Sequence, residues 1–380
     1  MRIATNAKKP GLLPYLLDRF KRIPADIKYV FFLFVTTRIL LTILGTLAFI
    51  ILDYSEPLFP RLEFSKHVWL NIWGVWDTGF FVDIAKNGYS TNYAVFPLYP
   101  LLMRIVGRVT GDVYIAGLII SNISLIIATV YLYKLVKIEN NRKTAIRSVK
   151  YLFLFPTAFI LSGVFSESLL LTLSIMCFYY AKKQKWFLSS VFGFLSGLTK
   201  PVGVFIFLPL LYEYWRTVFR SKGLKLNSVF LLLVPLSFPL FFLFVYRETG
   251  SVWAMNTLST FLHQGFEYFK DNLFLGMQWS VFKLFESLFT LLLLALIYIF
   301  RSKLSVSHLI FAIGSILIPV FTVRTGLSSM PRYALIAFPL FILFAKLSRN
   351  NYVDQILTIL LALFQGFLMV FWVTGFKLVV

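Results

Sequence analysis

This 380-residue chain is short of cysteine, acid and polar stretches. Its single cysteine, Cys177, lies in an apolar run and excludes an intrachain disulfide. Charged residues are only 14% of the chain, against roughly 25% in soluble domains, and none of the polar stretches is long enough for an independent soluble domain. The three histidines, His67, His263 and His308, are scattered, and no His/Asp/Glu spacing suggests a metal site. Neither a Walker-type loop nor a G-x-G-x-x-G turn is present, which argues against nucleotide use. No cofactor is expected.

What the chain has is apolar length: 59% hydrophobic and 18% aromatic residues, in runs of about 20 that recur from end to end. The expected fold is all-α, a multi-pass helical membrane protein in one domain over residues 1–380. The net charge of +21 invites a nucleic-acid reading. The basic residues sit instead in short loops between spans, the positive-inside pattern that sets topology, so no nucleic-acid partner is expected. Residues 1–28, with Lys8, Lys9, Arg19, Lys21, Arg22 and Lys28, read as a cytoplasmic segment before a retained first helix, Tyr29 to Leu52.

Alternation of basic loops gives about eleven spans. Inner loops are expected at Lys137 to Lys150, Lys182 to Lys185, Arg216 to Lys225, Arg301 to Lys303 and Lys346 to Arg349. One span, Val113 to Val136, then separates the first of these from a long outer segment, residues 53–112. Within it, Tyr93 to Val109 carries Pro97, Pro100, Arg104 and Arg108 and suits an interfacial or re-entrant piece. Four spans between Lys150 and Trp215 have only about 14 to 17 residues, so they must be tilted, broken or set in thin bilayer. Broken helices at membrane depth usually line a cavity.

The outer segment holds Trp76-Asp77-Thr78-Gly79-Phe80-Phe81-Val82-Asp83-Ile84-Ala85-Lys86-Asn87-Gly88-Tyr89, then Phe96-Pro97-Leu98-Tyr99-Pro100. On a helix, Trp76, Phe80, Phe81 and Ile84 form one apolar stripe with Asp77 inside it. Asp83 falls on the other side, beside Lys86 and Asn87, where it can be solvated and paired with Lys86. Asp77 is either an N-cap or a partly buried base suited to taking a proton from an alcohol. Asp83 is the alternative base. Glu167, in Phe165-Ser166-Glu167-Ser168, either complements a helix dipole or acts in the chemistry. Lys200, in Thr199-Lys200-Pro201-Val202-Gly203, either snorkels to headgroups or holds an anion. Arg332, in Pro331-Arg332-Tyr333, and the nearby Arg324 suit a phosphate or a lipid headgroup. Arg38, inside the first span, should face the protein interior. His263 and Gln264 are candidate acceptor contacts in the loop after Arg247.

These pieces, in this order, resemble the GPI mannosyltransferase II (PIG-V-like) family in its prokaryotic branch, within the GT-C class of membrane glycosyltransferases. The motif W-D-x-x-aromatic/His-aromatic-x-x-I-A-x-x-G-Y is matched from Trp76 to Tyr89, with F-P-x-x-P at Phe96 to Pro100, S-E-S at Ser166 to Ser168, T-[RK]-[PS]-x-G at Thr199 to Gly203 and P-R-[YF] at Pro331 to Tyr333. Phe80 stands where the eukaryotic branch has His, Lys200 stands where Arg is common, and Gly250-Ser251-Val252-Trp253 matches the family only loosely. The resemblance implies a GT-C-like fold and a polyprenyl- or dolichyl-phosphate sugar donor, with mannose as the sugar. The acceptor would be a glycolipid or other glycan, reached on the non-cytoplasmic face of a prokaryotic plasma membrane or an ER membrane. Asp77 would be the base of an inverting transfer, Arg332 and Lys200 would meet the phosphate, and Trp76, Phe80 and Tyr89 would stack on sugars, all among membrane lipid. The rival reading is a transporter or flippase for a lipid-linked substrate. It calls for matched repeats with broken helices in both halves, and the two halves do not match.

Overall fold

The structure, a computed structural model, describes residues 23–54, 61–90, 93–223, 225–251, 281–322 and 329–376. Its elements are helices: α1 (Ala25–Ile51), α2 (Thr78–Asn87), α3 (Leu98–Thr110), α4 (Val113–Glu139), α5 (Arg142–Leu154), α6 (Glu167–Lys182), α7 (Trp186–Gly197), α8 (Phe207–Tyr214), α9 (Leu233–Thr249), α10 (Val281–Ile299), α11 (Val306–Thr322), α12 (Met330–Tyr333), α13 (Pro339–Leu347) and α14 (Asn351–Thr374). Among the described residues, five helices are long and apolar enough to cross a membrane: Ala25–Ile51, Val113–Glu139, Pro201–Phe219, Leu226–Thr249 and Asn351–Thr374. Met330–Ile336 and Pro339–Leu347 meet at 86° and make a sixth if counted as one broken span. The expectation of about eleven spans counts shorter apolar segments as crossings too, among them Trp186–Gly197, Leu284–Ile299 and Val306–Phe321. Isoleucines and leucines such as Ile39, Leu40 and Ile43 on α1 and Ile356, Leu360 and Leu363 on α14 face outward, as a lipid-facing surface requires.

Proline and small polar residues cut the middle of the chain into short pieces. After α5 the chain turns at Phe155-Pro156, makes a buried 3-10 turn over Ala158–Ser162 and starts α6 at Glu167. This irregular stretch survives in the interior because its polar groups find partners. Arg38 of α1 donates to the Ala158 carbonyl (3.1 Å) and to Ser162 Oγ (2.9 Å), so it does face inward. Asn122 of α4 donates to the Ser162 carbonyl (3.3 Å). Ser168 Oγ donates to the Leu161 carbonyl. The chain breaks again between α7 and α8, at Pro201.

α4 and α6 run side by side in the same direction. Ser121 Oγ donates to the Phe165 carbonyl (3.2 Å), Thr172 Oγ1 to the Ser124 carbonyl (2.6 Å), and Lys182 pairs with Glu139 (3.1 Å). The two helices therefore end together but do not begin together. α4 has 27 residues and α6 has 16, about 40 Å against about 24 Å. The start of α6 lies level with Ser121, about 12 Å along α4 from its first residue.

At the common end the basic loops converge. Lys182 bridges Glu139 and Glu213 (2.8 Å), Arg216 pairs with Glu213 (2.8 Å), and Ser307 donates to Glu213 (3.2 Å). Lys150 and Arg147 flank Asp354 at 2.7 and 3.5 Å, and Lys346 Nζ donates to the Lys303 carbonyl (2.7 Å). The grouping of these loops at one end agrees with the alternation read from the sequence.

Gly203 shows how tightly the second break is packed. A Cβ there would stand 2.1 Å from the Ser196 carbonyl oxygen, whereas at Gly79 the nearest atom would be 3.6 Å away. Gly203→Ala should cost about 1–3 kcal/mol through forced backbone movement. Gly79→Ala, in the first turn of α2, should be neutral or stabilise by up to about 1 kcal/mol. Thermal melting of both variants in detergent checks the contrast.

Candidate functional site

Four broken segments meet at the start of α6. The Asp77 loop is tied to it by Val164 N–H donating to the Trp73 carbonyl (3.1 Å) and Thr78 Oγ1 to the Val164 carbonyl (3.4 Å). Leu98 N–H donates to the Leu198 carbonyl (3.0 Å), which joins the start of α3 to the turn carrying Lys200. Thr157 Oγ1 donates to the Pro331 carbonyl (2.7 Å), which joins the 3-10 turn to α12. Arg104 of α3 donates to carbonyls at the end of α2, those of Ala85 (2.8 Å) and Ile84 (3.1 Å).

These ties bring Asp77, Glu167, Lys200 and Arg332 together. Arg332 NH1 donates to Asp77 Oδ2 at 2.6 Å across 255 positions of sequence. Arg332 Nε stands 3.4 Å from Glu167 Oε1, and Lys200 Nζ donates to that same oxygen at 2.5 Å. The order Asp77, Arg332, Glu167, Lys200 alternates in sign and sums to zero. The Arg332 guanidinium also lies over the rings of Phe165 (5.5 Å) and Tyr333 (5.2 Å), and Lys200 lies over Tyr333 (5.4 Å).

Exposure separates the roles. The side chain of Asp77 is 40% exposed, those of Lys200 and Arg332 are 17% and 6%, and that of Glu167 is 0%. Asp77, Lys200 and Arg332 line a cavity of about 310 Å³ with Phe80, Phe96 and Tyr333. Glu167 is not among the lining residues and sits behind the two cations. Its second oxygen, Oε2, is buried without a hydrogen bond.

Asp77 points its carboxylate at Arg332 and not at the first turn of α2. Its side chain makes no capping hydrogen bond to α2; its backbone carbonyl accepts from Phe80 (3.0 Å) and Phe81 (3.3 Å) while the carboxylate turns to Arg332. Trp76, just before it, has φ +54°, a left-handed conformation that costs a non-glycine residue of order 1 kcal/mol. The apolar stripe is only partly as read. Phe81 and Ile84 are buried, but Phe80 is 52% exposed and forms a cavity wall. Asp83 accepts from Asn87 (2.7 Å) on the exposed side of α2 and makes no ion pair with Lys86 among the described residues.

Trp76 and Tyr89 do not line the cavity. Trp76 packs against the core with its indole N–H unpartnered. Tyr89 donates to the Val95 carbonyl (2.7 Å) and packs on Tyr93 and Phe244, holding the turn before α3 against α9. Arg324, His263 and Gln264 lie outside the described residues. Among those described, no cluster of His, Cys, Asp or Glu could hold a metal ion.

One residue of the site's frame escapes the motif reading. Glu286 of α10 is buried and accepts from the backbone N–H of Ser329 (2.9 Å), which has φ +69° and begins the turn carrying Arg332. The available signal was a lone acid in the apolar run Val281–Ile299.

The arrangement defines a helical membrane protein whose cavity is lined by a carboxylate, two cations and aromatic rings. The chain belongs to the mannosyltransferase (PIG-V) family, whose model matches residues 27–219, just over half of its length. The matched stretch contains Asp77, Glu167 and Lys200; Arg332 lies beyond it and joins them through the fold. No curated protein matches the sequence. Among solved structures, the oligosaccharyltransferase of Archaeoglobus fulgidus in complex with zinc and sulfate is similar at 12% identity and a TM-score of 0.41, over 90% of this chain and 53% of that one. The same organism's oligosaccharyltransferase AglB, in complex with an inhibitory peptide and a dolichol-phosphate, is similar at 11% identity and a TM-score of 0.41, over 91% and 56%. The chain thus spans about half the length of these structures, and the likeness is too distant to bear on the reaction.

Removing the Glu286 acceptor should loosen the Arg332 turn. Glu286→Ala is expected to lose about 1–3 kcal/mol by leaving the Ser329 N–H unsatisfied. Glu286→Gln, which keeps a carbonyl oxygen, should recover most of it. Melting temperatures of the two variants beside the wild type test this.

Proposed function

We propose that the protein is an integral-membrane glycosyltransferase that moves a sugar, mannose by its family, from a polyprenyl- or dolichyl-phosphate donor to a lipid-linked glycan or similar acceptor. The observation that carries this reading is the direct contact of Asp77 with Arg332 on the wall of an aromatic-lined cavity, with Lys200 beside them. A carboxylate and two cations in one small space support the pairing of a proton acceptor with phosphate-binding groups.

In the proposed reaction the acceptor hydroxyl attacks the anomeric carbon while Asp77 takes its proton. The bond from the anomeric carbon to the phosphate oxygen breaks, and the lipid phosphate leaves with the electron pair. Arg332 and Lys200 stabilise that departing charge, so no general acid is needed. A single displacement inverts the anomeric centre. Glu167 keeps the two cations in place from behind. Phe80, Phe96 and Tyr333 offer faces for the sugar and for the first isoprene units. The non-cytoplasmic side of a prokaryotic plasma membrane is the proposed location, and the gathering of the basic loops at the far end from the site supports it.

The test is transfer by purified protein in lipid from polyprenyl-phosphate-mannose to a total lipid extract. Asp77→Asn should reduce transfer by about 10²–10⁴-fold, the range for loss of a positioned base. Full transfer by this variant would remove Asp77 from the role. Failure of the wild type both to transfer and to bind the donor would overturn the reading.

A further inference from the structure

In-line displacement needs the base and the leaving oxygen on opposite sides of the anomeric carbon. Hydrogen-bond reach plus a near-attack distance sets them roughly 6 Å apart. Asp77 and Arg332 now touch at 2.6 Å, which leaves no room for a sugar between them. One N–H of Arg332 NH1 is engaged by Asp77. Among the described residues its Nε faces Glu167, and its NH2 reaches the Tyr333 hydroxyl at 3.4 Å.

Resting on the donor assignment above, we propose that the Asp77–Arg332 pair is a latch of the empty site. The donor's phosphate opens it by taking Arg332 NH1, and only then is Asp77 free to serve the acceptor. The two members are unequally held. Arg332 is buried and remains fixed by Glu167 and the rings of Phe165 and Tyr333 when NH1 changes partner. Asp77 is the exposed member, with Arg332 as its side-chain partner among the described residues, so it is the one that swings away. Charge fits as well. The four groups are neutral together, so an incoming phosphate finds no uncompensated cation until it displaces a carboxylate. Donor binds first and acceptor second, because Asp77 reaches the acceptor only after Arg332 has turned to the phosphate.

The latch makes Asp77 a competitor of the donor, which a base without this second role would not be. The probe is a short-chain polyprenyl monophosphate, which cannot transfer sugar, titrated against the full-length protein in nanodiscs. Asp77→Asn and Asp77→Ser should each bind it about tenfold more tightly than wild type, the size of one partly exposed charge-assisted hydrogen bond no longer broken on binding. Asp83→Asn, which removes the same charge from the exposed side of α2, should stay within about twofold because water and salt screen it. Either Asp77 variant suffices if the other does not fold. Equal or weaker binding by the Asp77 variants would overturn the latch alone, as would equal tightening by Asp83→Asn. No binding by any of the proteins would remove the donor assignment, and the latch with it.

Discussion

Everything at the site depends on how Glu167 is neutralised. A carboxylate with no exposure to water carries a desolvation cost of several kcal/mol, and only well-placed opposite charge offsets it. Here one oxygen is shared by Lys200 at 2.5 Å and Arg332 at 3.4 Å. The segments bearing those cations come from distant parts of the chain, so satisfying Glu167 draws the break before α8 and the turn at α12 onto the start of α6. Asp77 then meets Arg332 from the opposite side. The broken helices and the charge chain are one feature: continuous helices would not bring four such groups to a common point at membrane depth.

The local pieces of the site were legible in sequence, and their assembly was legible only through the resemblance. Asp77, Glu167, Lys200 and Arg332 stand out because charges next to proline, glycine and aromatic residues are rare in apolar chains. Nothing local says that Arg332 touches Asp77 across 255 positions. Periodicity could not choose between Asp77 as a cap and as a site carboxylate, because the chemistry of a cap and of a cavity acid is the same. The partner of the Asp77 carboxylate, Arg332, is tertiary and invisible to periodicity. Phe80 shares an apolar stripe with Phe81 and Ile84, but the buried arc of α2 runs through Phe81, Val82 and Ala85, so Phe80 lies at its edge and lines the cavity. Tyr89 shows the reverse: an aromatic in a functional motif whose hydroxyl is spent on the Val95 carbonyl. Glu286 carried the same signal as Glu167, an acid in an apolar run, but no motif around it drew notice.

Fold-level features fared similarly. The positive loops report which ends of the helices lie together, and Lys182, Arg216 and Lys346 do lie together, each engaged with an acid or a carbonyl. Span counting is weaker, because a 12-residue apolar helix such as α7 reads the same whether it crosses, tilts or stops inside the protein.

The unequal lengths of α4 and α6 bear on what occupies the space above the shorter helix. The two end level but begin about 12 Å apart. α6 is buried from Glu167 to Ile175, so protein fills the step, with the Asp77 loop and the turn of Arg332 packed into it. A hydrocarbon layer about 30 Å thick is more than α6 alone can cross. The step between the two helices thus works as a recess inside the protein, setting the charged groups at the start of α6 about 12 Å further along the bundle than the first residue of α4.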